Sequence, residues 1–152
     1  MKTHFKILFL CRDNSALSIM AEHIMRKVAP DEFESFSAGQ LPKDGPHPLA
    51  VAVLHKHFEV DASAAKCRSW DEFRDKEWDF IVMLGDEDLE NVPTWPGNPV
   101  VAHWHIQDPT ATQGEADEQE RAFWQAAEQI NRRINLMVAI PIQKLETLHA
   151  VT

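Results

Sequence analysis

The sequence predicts an α/β fold of three layers, with a four-stranded parallel sheet and helices on both faces. Three observations carry this. Strand-like and helix-like segments alternate along the chain. Residues 5–10 and 79–84 are apolar nearly throughout, as strands covered on both faces must be. Apolar residues recur at helical spacing in the segments between strands and near the end.

Residues 5–10 form the first expected strand, and residues 11–17 break it with small and polar side chains. A helix is expected from Ser18, with Ile19, Met20, Ile24 and Val28 on one face and Pro30 as its stop. Ser18 is the expected cap, although Glu22 stands one place beyond capping-box spacing. Residues 33–37 read as the second strand, turned by Ala38-Gly39, and 41–47 as a loop rich in Pro and Gly. Ala50, Val53, Leu54 and His57 stripe a helix over 49–58, and 69–73 read as a short capped helix. The third strand follows at 79–84, then an acidic and Pro-rich loop at 85–99 and a fourth strand at 100–103. Residues 110–120 are polar, and the last helix begins in their latter part. It runs through Phe123, Ala127, Ile130, Ile134, Met137 and Val138 until Pro141. The expected organisation is one domain over 1–140 and a tail over 141–152.

Composition narrows the function. A chain of 152 residues, 44% apolar and 26% charged, is that of an ordinary globular domain. A formal net charge of -9, with no Lys/Arg cluster, argues against nucleic acid as partner. No apolar run approaches the roughly eighteen residues of a membrane helix. The apolar stretch after Lys6 is too short for a signal peptide, so the expected location is the cytoplasm. Two cysteines, Cys11 and Cys67, make no disulfide framework; each is either a buried or a reactive thiol.

Cys11 stands where ligands collect in such sheets, beyond the carboxyl end of a strand and just before a helix. Backbone N–H groups of residues 12–18 can converge there, and the helix adds its positive end. That environment suits a tetrahedral oxyanion and is expected to lower the pKa of the thiol. Asn14 is expected to brace the loop through its side chain, and Ser18 to donate to the sulfur.

The run Cys11-Arg12-Asp13-Asn14-Ser15-Ala16-Leu17-Ser18-Ile19-Met20-Ala21-Glu22 resembles the phosphate-binding loop of low-molecular-weight protein tyrosine phosphatases and the related thioredoxin-type arsenate reductases. That family's pattern is Cys, five residues, Arg, Ser, with Asn three places after the Cys. Ser37-Ala38-Gly39 is similar to the family's turn after strand two, and Pro46-His47-Pro48-Leu49-Ala50 to its second helix start. His103-Trp104-His105-Ile106-Gln107-Asp108-Pro109 resembles its Asp-Pro loop, in the arsenate-reductase manner. The resemblance implies a Rossmann-like fold, a Cys11 nucleophile, and Asp108 as the acid that protonates the leaving group. It assigns anion binding to the loop Arg12, Asp13, Asn14, Ser15, Ala16, Leu17 and Ser18. No metal and no cofactor are expected. The ligand class is phosphate, arsenate or a similar oxyanion.

Two positions depart from the pattern. Leu17 stands where the family has the Arg that forks onto two oxygens of the anion. Arg12 is adjacent to the Cys and is not expected to reach the same point; Arg68 is a candidate substitute. Residues 83–92, where the arsenate-reductase branch carries resolving cysteines, contain none, so arsenate reduction would need an external thiol such as glutathione or mycothiol. A weaker reading groups His103 and His105 with Asp108 or His47 as a metal site. The acidic run 86–90 reads as a solvated loop. Two functions remain: a phosphatase-like or arsenate-reductase-like enzyme of reduced activity, and a catalytically inactive relative that binds an anion or a protein partner.

Overall fold

The computed structural model describes residues 3–86 and 88–140; the expected tail at 141–152 lies outside them. Four parallel strands, β1 (Phe5–Cys11), β2 (Phe33–Gly39), β3 (Phe80–Leu84) and β4 (Val100–Trp104), lie in the order β2-β1-β3-β4. The helices are α1 (Leu17–Val28), α2 (Pro48–Phe58) and α3 (Ala116–Val138), with 3-10 turns at Trp70–Glu72 and Pro109–Ala111.

The period of two along β1 explains the layers. Phe5, Ile7, Phe9 and Cys11 point into one core with Phe33, Phe80 and Val82, covered by α1, α2 and α3. Leu8 and Leu10 point the other way, into a smaller core with Ile81, Trp70, Phe73 and Trp78. The three layers are present, but the helical cover is unequal. All three α-helices share one face, and the other has the 3-10 turn at Trp70–Glu72 with its aromatic side chains. Phe5, Phe33 and Phe80 meet at ring separations of 5.6–6.1 Å, and burying each is worth roughly 2–3 kcal/mol.

Several boundaries differ from the expectation, each for a local reason. β2 runs on to Gly39 because Ala38 and Gly39 still pair with Leu10 and Cys11. β3 starts at Phe80, since Asp79, buried, turns its carboxylate onto the Lys6 N–H at 2.8 Å. β4 extends to Trp104 opposite Leu84. Helix α2 starts one residue early, at Pro48, because His47 caps it: the His47 Nδ1 accepts the Leu49 N–H at 3.1 Å. Helix α1 starts at Leu17 and has no side-chain cap, so Ser18 is not the cap that its position suggested. The Ser18 hydroxyl is engaged elsewhere.

β1 leads out to β2 on one side, and the chain then crosses to β3 on the other. The order therefore reverses between β1 and β3, and a crevice opens beyond their carboxyl ends. No helix among the described residues is long and apolar enough to cross a membrane.

Candidate active site

A cleft of about 380 Å³ opens at that crevice, and both Cys11 and Asp108 line it. Its position follows from the chain path. Cys11 ends β1, residues 12–16 wrap around, and α1 begins at Leu17. Asn14 adopts φ 52, a left-handed turn that a short polar side chain tolerates. The carbonyls of Arg12, Asp13 and Ser15 face outward and accept from Leu41, Lys43 and His47 at 2.8, 3.1 and 2.7 Å. Backbone N–H groups of Ser18 and Asn14 point at the Cys11 sulfur. Asp13 closes the turn by accepting the Ser15 N–H at 3.1 Å, and its other oxygen lies 3.4 Å from Lys43.

Side chains tie the loop to the sheet. Cys11 Sγ is 2.8 Å from Ser18 Oγ. Asn14 Nδ2 donates to Ser18 Oγ at 2.8 Å and to Ser37 Oγ at 3.0 Å, while Asn14 Oδ1 accepts the Arg68 N–H at 2.7 Å. Asn14 thus braces the loop as expected. Ser15 Oγ is buried and makes no hydrogen bond among the described residues. Ala16 and Leu17 are buried and line the cleft with Arg12 and Asp13.

The expected fall in the Cys11 pKa is not what this environment produces. Burial is the largest influence and pushes the thiol above its ordinary 9.0. The Ser18 hydroxyl and the Ser18 N–H pull it down, Asp13 pushes it up again, and the Asn14 N–H lowers it slightly.

Asp108 is half-buried at the start of the 3-10 turn Pro109–Ala111. Its Oδ1 accepts from the Thr110 N–H at 2.9 Å and hydroxyl at 2.7 Å. It is both the turn residue that its place before Pro109 suggests and a carboxylate on the wall of the Cys11 cleft.

Other expected residues fall differently. Arg68 does not line the cleft; its Nη1 lies 3.5 Å from Glu72, and only its backbone N–H serves the loop. Arg12 is at the exposed rim. His103 and His105 stack at 4.0 Å, and His103 Nε2 lies 3.0 Å from the Gly85 carbonyl oxygen. No three metal-binding side chains gather among the described residues. Asp86, Asp88 and Glu90 of the acidic run are exposed, as in a solvated loop, and they also line the cleft together with Asp13 and Asp108. Alternation and spacing carry no signal of that, because a loop's direction is set by the strands it joins. Glu22 is the residue that the sequence undervalues. Its carboxylate accepts from Ser37 Oγ at 2.5 Å, directly behind Asn14.

A parallel sheet with a cysteine at the end of its first strand, and a loop leading from it into a helix at the switch point, defines the class of α/β fold to which this chain belongs. The chain belongs to the low molecular weight phosphotyrosine protein phosphatase family, whose model matches residues 6–147. It is 31% identical over 128 residues to an arsenate reductase of Halalkalibacterium halodurans, covering 84% of this chain and 91% of that protein. A solved arsenate reductase in the phosphate-binding state superposes with a TM-score of 0.76 at 21% identity, covering 89% of this chain and 97% of the other. A low molecular weight protein tyrosine phosphatase from T. tengcongensis gives 0.70 at 20% identity, covering 88% and 97%. At these identities the two superpositions speak for the fold.

Proposed function

We propose that the chain acts in the cytoplasm on a tetrahedral oxyanion, a phosphate ester or arsenate, through the Cys11 sulfur. The observation that carries this is the Cys11 sulfur itself, in the cleft, facing the Ser18 hydroxyl and two backbone N–H groups, with Asp108 lining the same cleft. With a phosphate ester, the thiolate attacks phosphorus in line, the P–O bond to the leaving group breaks, and Asp108 gives that oxygen a proton. Water then cleaves the phosphocysteine. With arsenate, an S–As bond replaces an As–O bond and water leaves. An external thiolate attacks the Cys11 sulfur, the electron pair of the S–As bond passes to arsenic, and arsenite departs. A second thiol frees Cys11 from the mixed disulfide. The thiol is external in this reading, since residues 83–92 hold no cysteine.

Turnover is low in this reading. Losing one oxyanion donor costs about 10²–10³ in rate, and Leu17 replaces a two-pronged charged one. The raised Cys11 thiol and the carboxylates of the cleft favour a second reading, a non-catalytic relative that binds an anion or a protein.

Aryl-phosphate hydrolysis and thiol-dependent arsenate reduction, measured on wild type and Cys11→Ser, separate these. Slow turnover abolished by Cys11→Ser is the expected result. Turnover that survives the substitution sinks the nucleophile assignment. Silence in both assays, with a rise in melting temperature in phosphate or arsenate, selects the non-catalytic reading.

A further inference from the structure

The cleft that holds Cys11 combines apolar and acidic walls. Leu17 and Leu84, both buried, line it beside Cys11, and half-buried Leu89 and exposed Leu41 line it too. The carboxylates of Asp13, Asp86, Asp88, Glu90 and Asp108 line the same cleft, and the cationic side chain among its walls is Arg12.

These carboxylates are not equally satisfied. Asp13 lies 3.4 Å from Lys43. Asp88 lies 3.5 Å from His103 Nδ1, and Asp108 accepts from Thr110. Asp86 and the Glu90 carboxylate meet no donor among the described residues. Yet the loop that bears them is tied down. Gln40 Nε2 donates to the Glu90 carbonyl at 3.2 Å, and Leu89 and Val92 pack on the smaller core. Two uncompensated negative charges are therefore held at the exposed edge of a site whose loop offers N–H groups to the Cys11 sulfur.

Charges fixed in this way select among ligands. A free dianion approaches against each carboxylate and against the whole chain's charge of -9. Leu17 supplies nothing to offset them. An anion that brings its own cation meets the opposite balance, because its phosphate reaches the donors at Cys11 while its cation reaches the acidic edge.

We propose that this cleft takes a phosphate ester whose leaving group carries an ammonium or guanidinium, and that Asp86 and Glu90 are the residues that select it. The cation lies within about 8–10 Å of the phosphorus, the range over which charges at a wet surface still feel one another. An apolar stem between the two, an aryl ring or a run of methylenes, rests on Leu41 and Leu89. A basic peptide bearing phosphotyrosine has all three parts, and so has a small aryl phosphate with an aminomethyl group. The bonds made and broken remain those of ester hydrolysis through Cys11. The cation and the carboxylates that hold it bind and do not react.

This inference rests on the reading of Cys11 as nucleophile, so its test keeps binding apart from turnover. Binding is measured by fluorescence anisotropy on the full chain carrying Cys11→Ser. The probes are two labelled phosphotyrosine peptides, identical except for Arg or Glu on either side of the phosphotyrosine, and the Arg peptide without its phosphate. In dilute salt the Arg phosphopeptide should bind about tenfold more tightly than the Glu one, the yield of a few exposed ion pairs made instead of opposed. Adding Asp86→Asn with Glu90→Gln should bring the two within about twofold, and so should salt near about 0.5 M. Competition by phenyl phosphate and its aminomethyl analogue tells a small ester from a peptide. A gain from the aminomethyl group places the cation beside the ring; a gain in peptides alone places it on the flanking residues.

Equal binding of the Arg and Glu phosphopeptides, or no binding of either, overturns the proposal. So does a preference that survives Asp86→Asn with Glu90→Gln. An Arg peptide that binds as well without its phosphate also overturns it, since that marks a protein-docking face and not a site for a phosphate ester. Preference in the Cys11→Ser chain, with wild type hydrolysing none of the esters, sinks the nucleophile and leaves the selection standing.

Discussion

Cys11 Sγ and Ser18 Oγ face each other at 2.8 Å with both residues buried, so the sulfur has a donor but almost no water. Burial wins, and the thiol is pushed above 9.0. The folded chain therefore keeps a proton that the unfolded chain gives up. This contribution to stability is intact below the ordinary value of 9.0 and is lost as pH rises from there through the higher folded value. Chemical denaturation at pH 8 and 10 should show a loss in wild type that is smaller in Cys11→Ser. An equal loss in both would place the alkaline sensitivity elsewhere.

His47 works in the opposite pH range. Burial is the main cause that lowers its pKa below 6.5, with Lys43 helping and Asp13 and Asp108 opposing. Its Nδ1 must stay unprotonated to cap α2, and its ring lies tilted against Phe123 with centroids 4.6 Å apart. A folded value below the unfolded one means stability present above about pH 6.5 and lost as pH falls through the folded value. His47→Asn supplies a cap oxygen that does not titrate there. It should cost less than about 1 kcal/mol at pH 7.5 and flatten the decline between pH 7 and 5, read by urea midpoints.

Gly39 is where β2 touches the loop. A Cβ there would lie 2.7 Å from the Asn14 backbone N and 3.0 Å from the Arg12 carbonyl oxygen, and neither can move without opening the turn. Gly39→Ala should cost roughly 1–3 kcal/mol. It should also weaken the stabilisation that phosphate gives to wild type, since the displaced atoms belong to the loop itself. A variant with wild-type stability and an unchanged response to phosphate would show that the contact relaxes freely.

The sheet was legible because burial on both faces leaves an unbroken apolar signature in residues 5–10 and 79–84, and because Cys11 follows the first of these. The loop was legible in its residue types: Asn14 braces it, and Ser18 Oγ stands 2.8 Å from the Cys11 sulfur. Charge balance at the site was not. Whether the Cys11 thiol rises or falls depends on desolvation against a few donors, and neither is a property of local sequence. Nor could the sequence show that Asp86, Asp88 and Glu90 line the cleft, or that Glu22 meets a strand thirteen to fifteen residues away at Ser35 and Ser37. Ser18 misled as a cap for the same reason: its tertiary partner outbids the helix end.

Leu17 gives the sharpest test of what the loop still holds. It is 4% exposed, packed in the larger core and at the cleft, so its replacement by Arg both removes core packing and buries a charge. Without ligand, Leu17→Arg should lose about 2–4 kcal/mol, read by denaturant unfolding. Phosphate should return much of this, because an anion held by the guanidinium stabilises the folded state alone; at a hundredfold excess over its Kd the gain is about 2.7 kcal/mol. If the cradle is otherwise sound, aryl-phosphate hydrolysis should rise at least about 10²-fold, the value of one recovered oxyanion donor. The rise should disappear when Cys11→Ser is added. A folded Leu17→Arg that gains phosphate stabilisation but no rate would assign the deficit to the protonated thiol. One that gains neither would assign it to the carboxylates of Asp13, Asp86, Asp88, Glu90 and Asp108, which repel the anion before any donor can reach it.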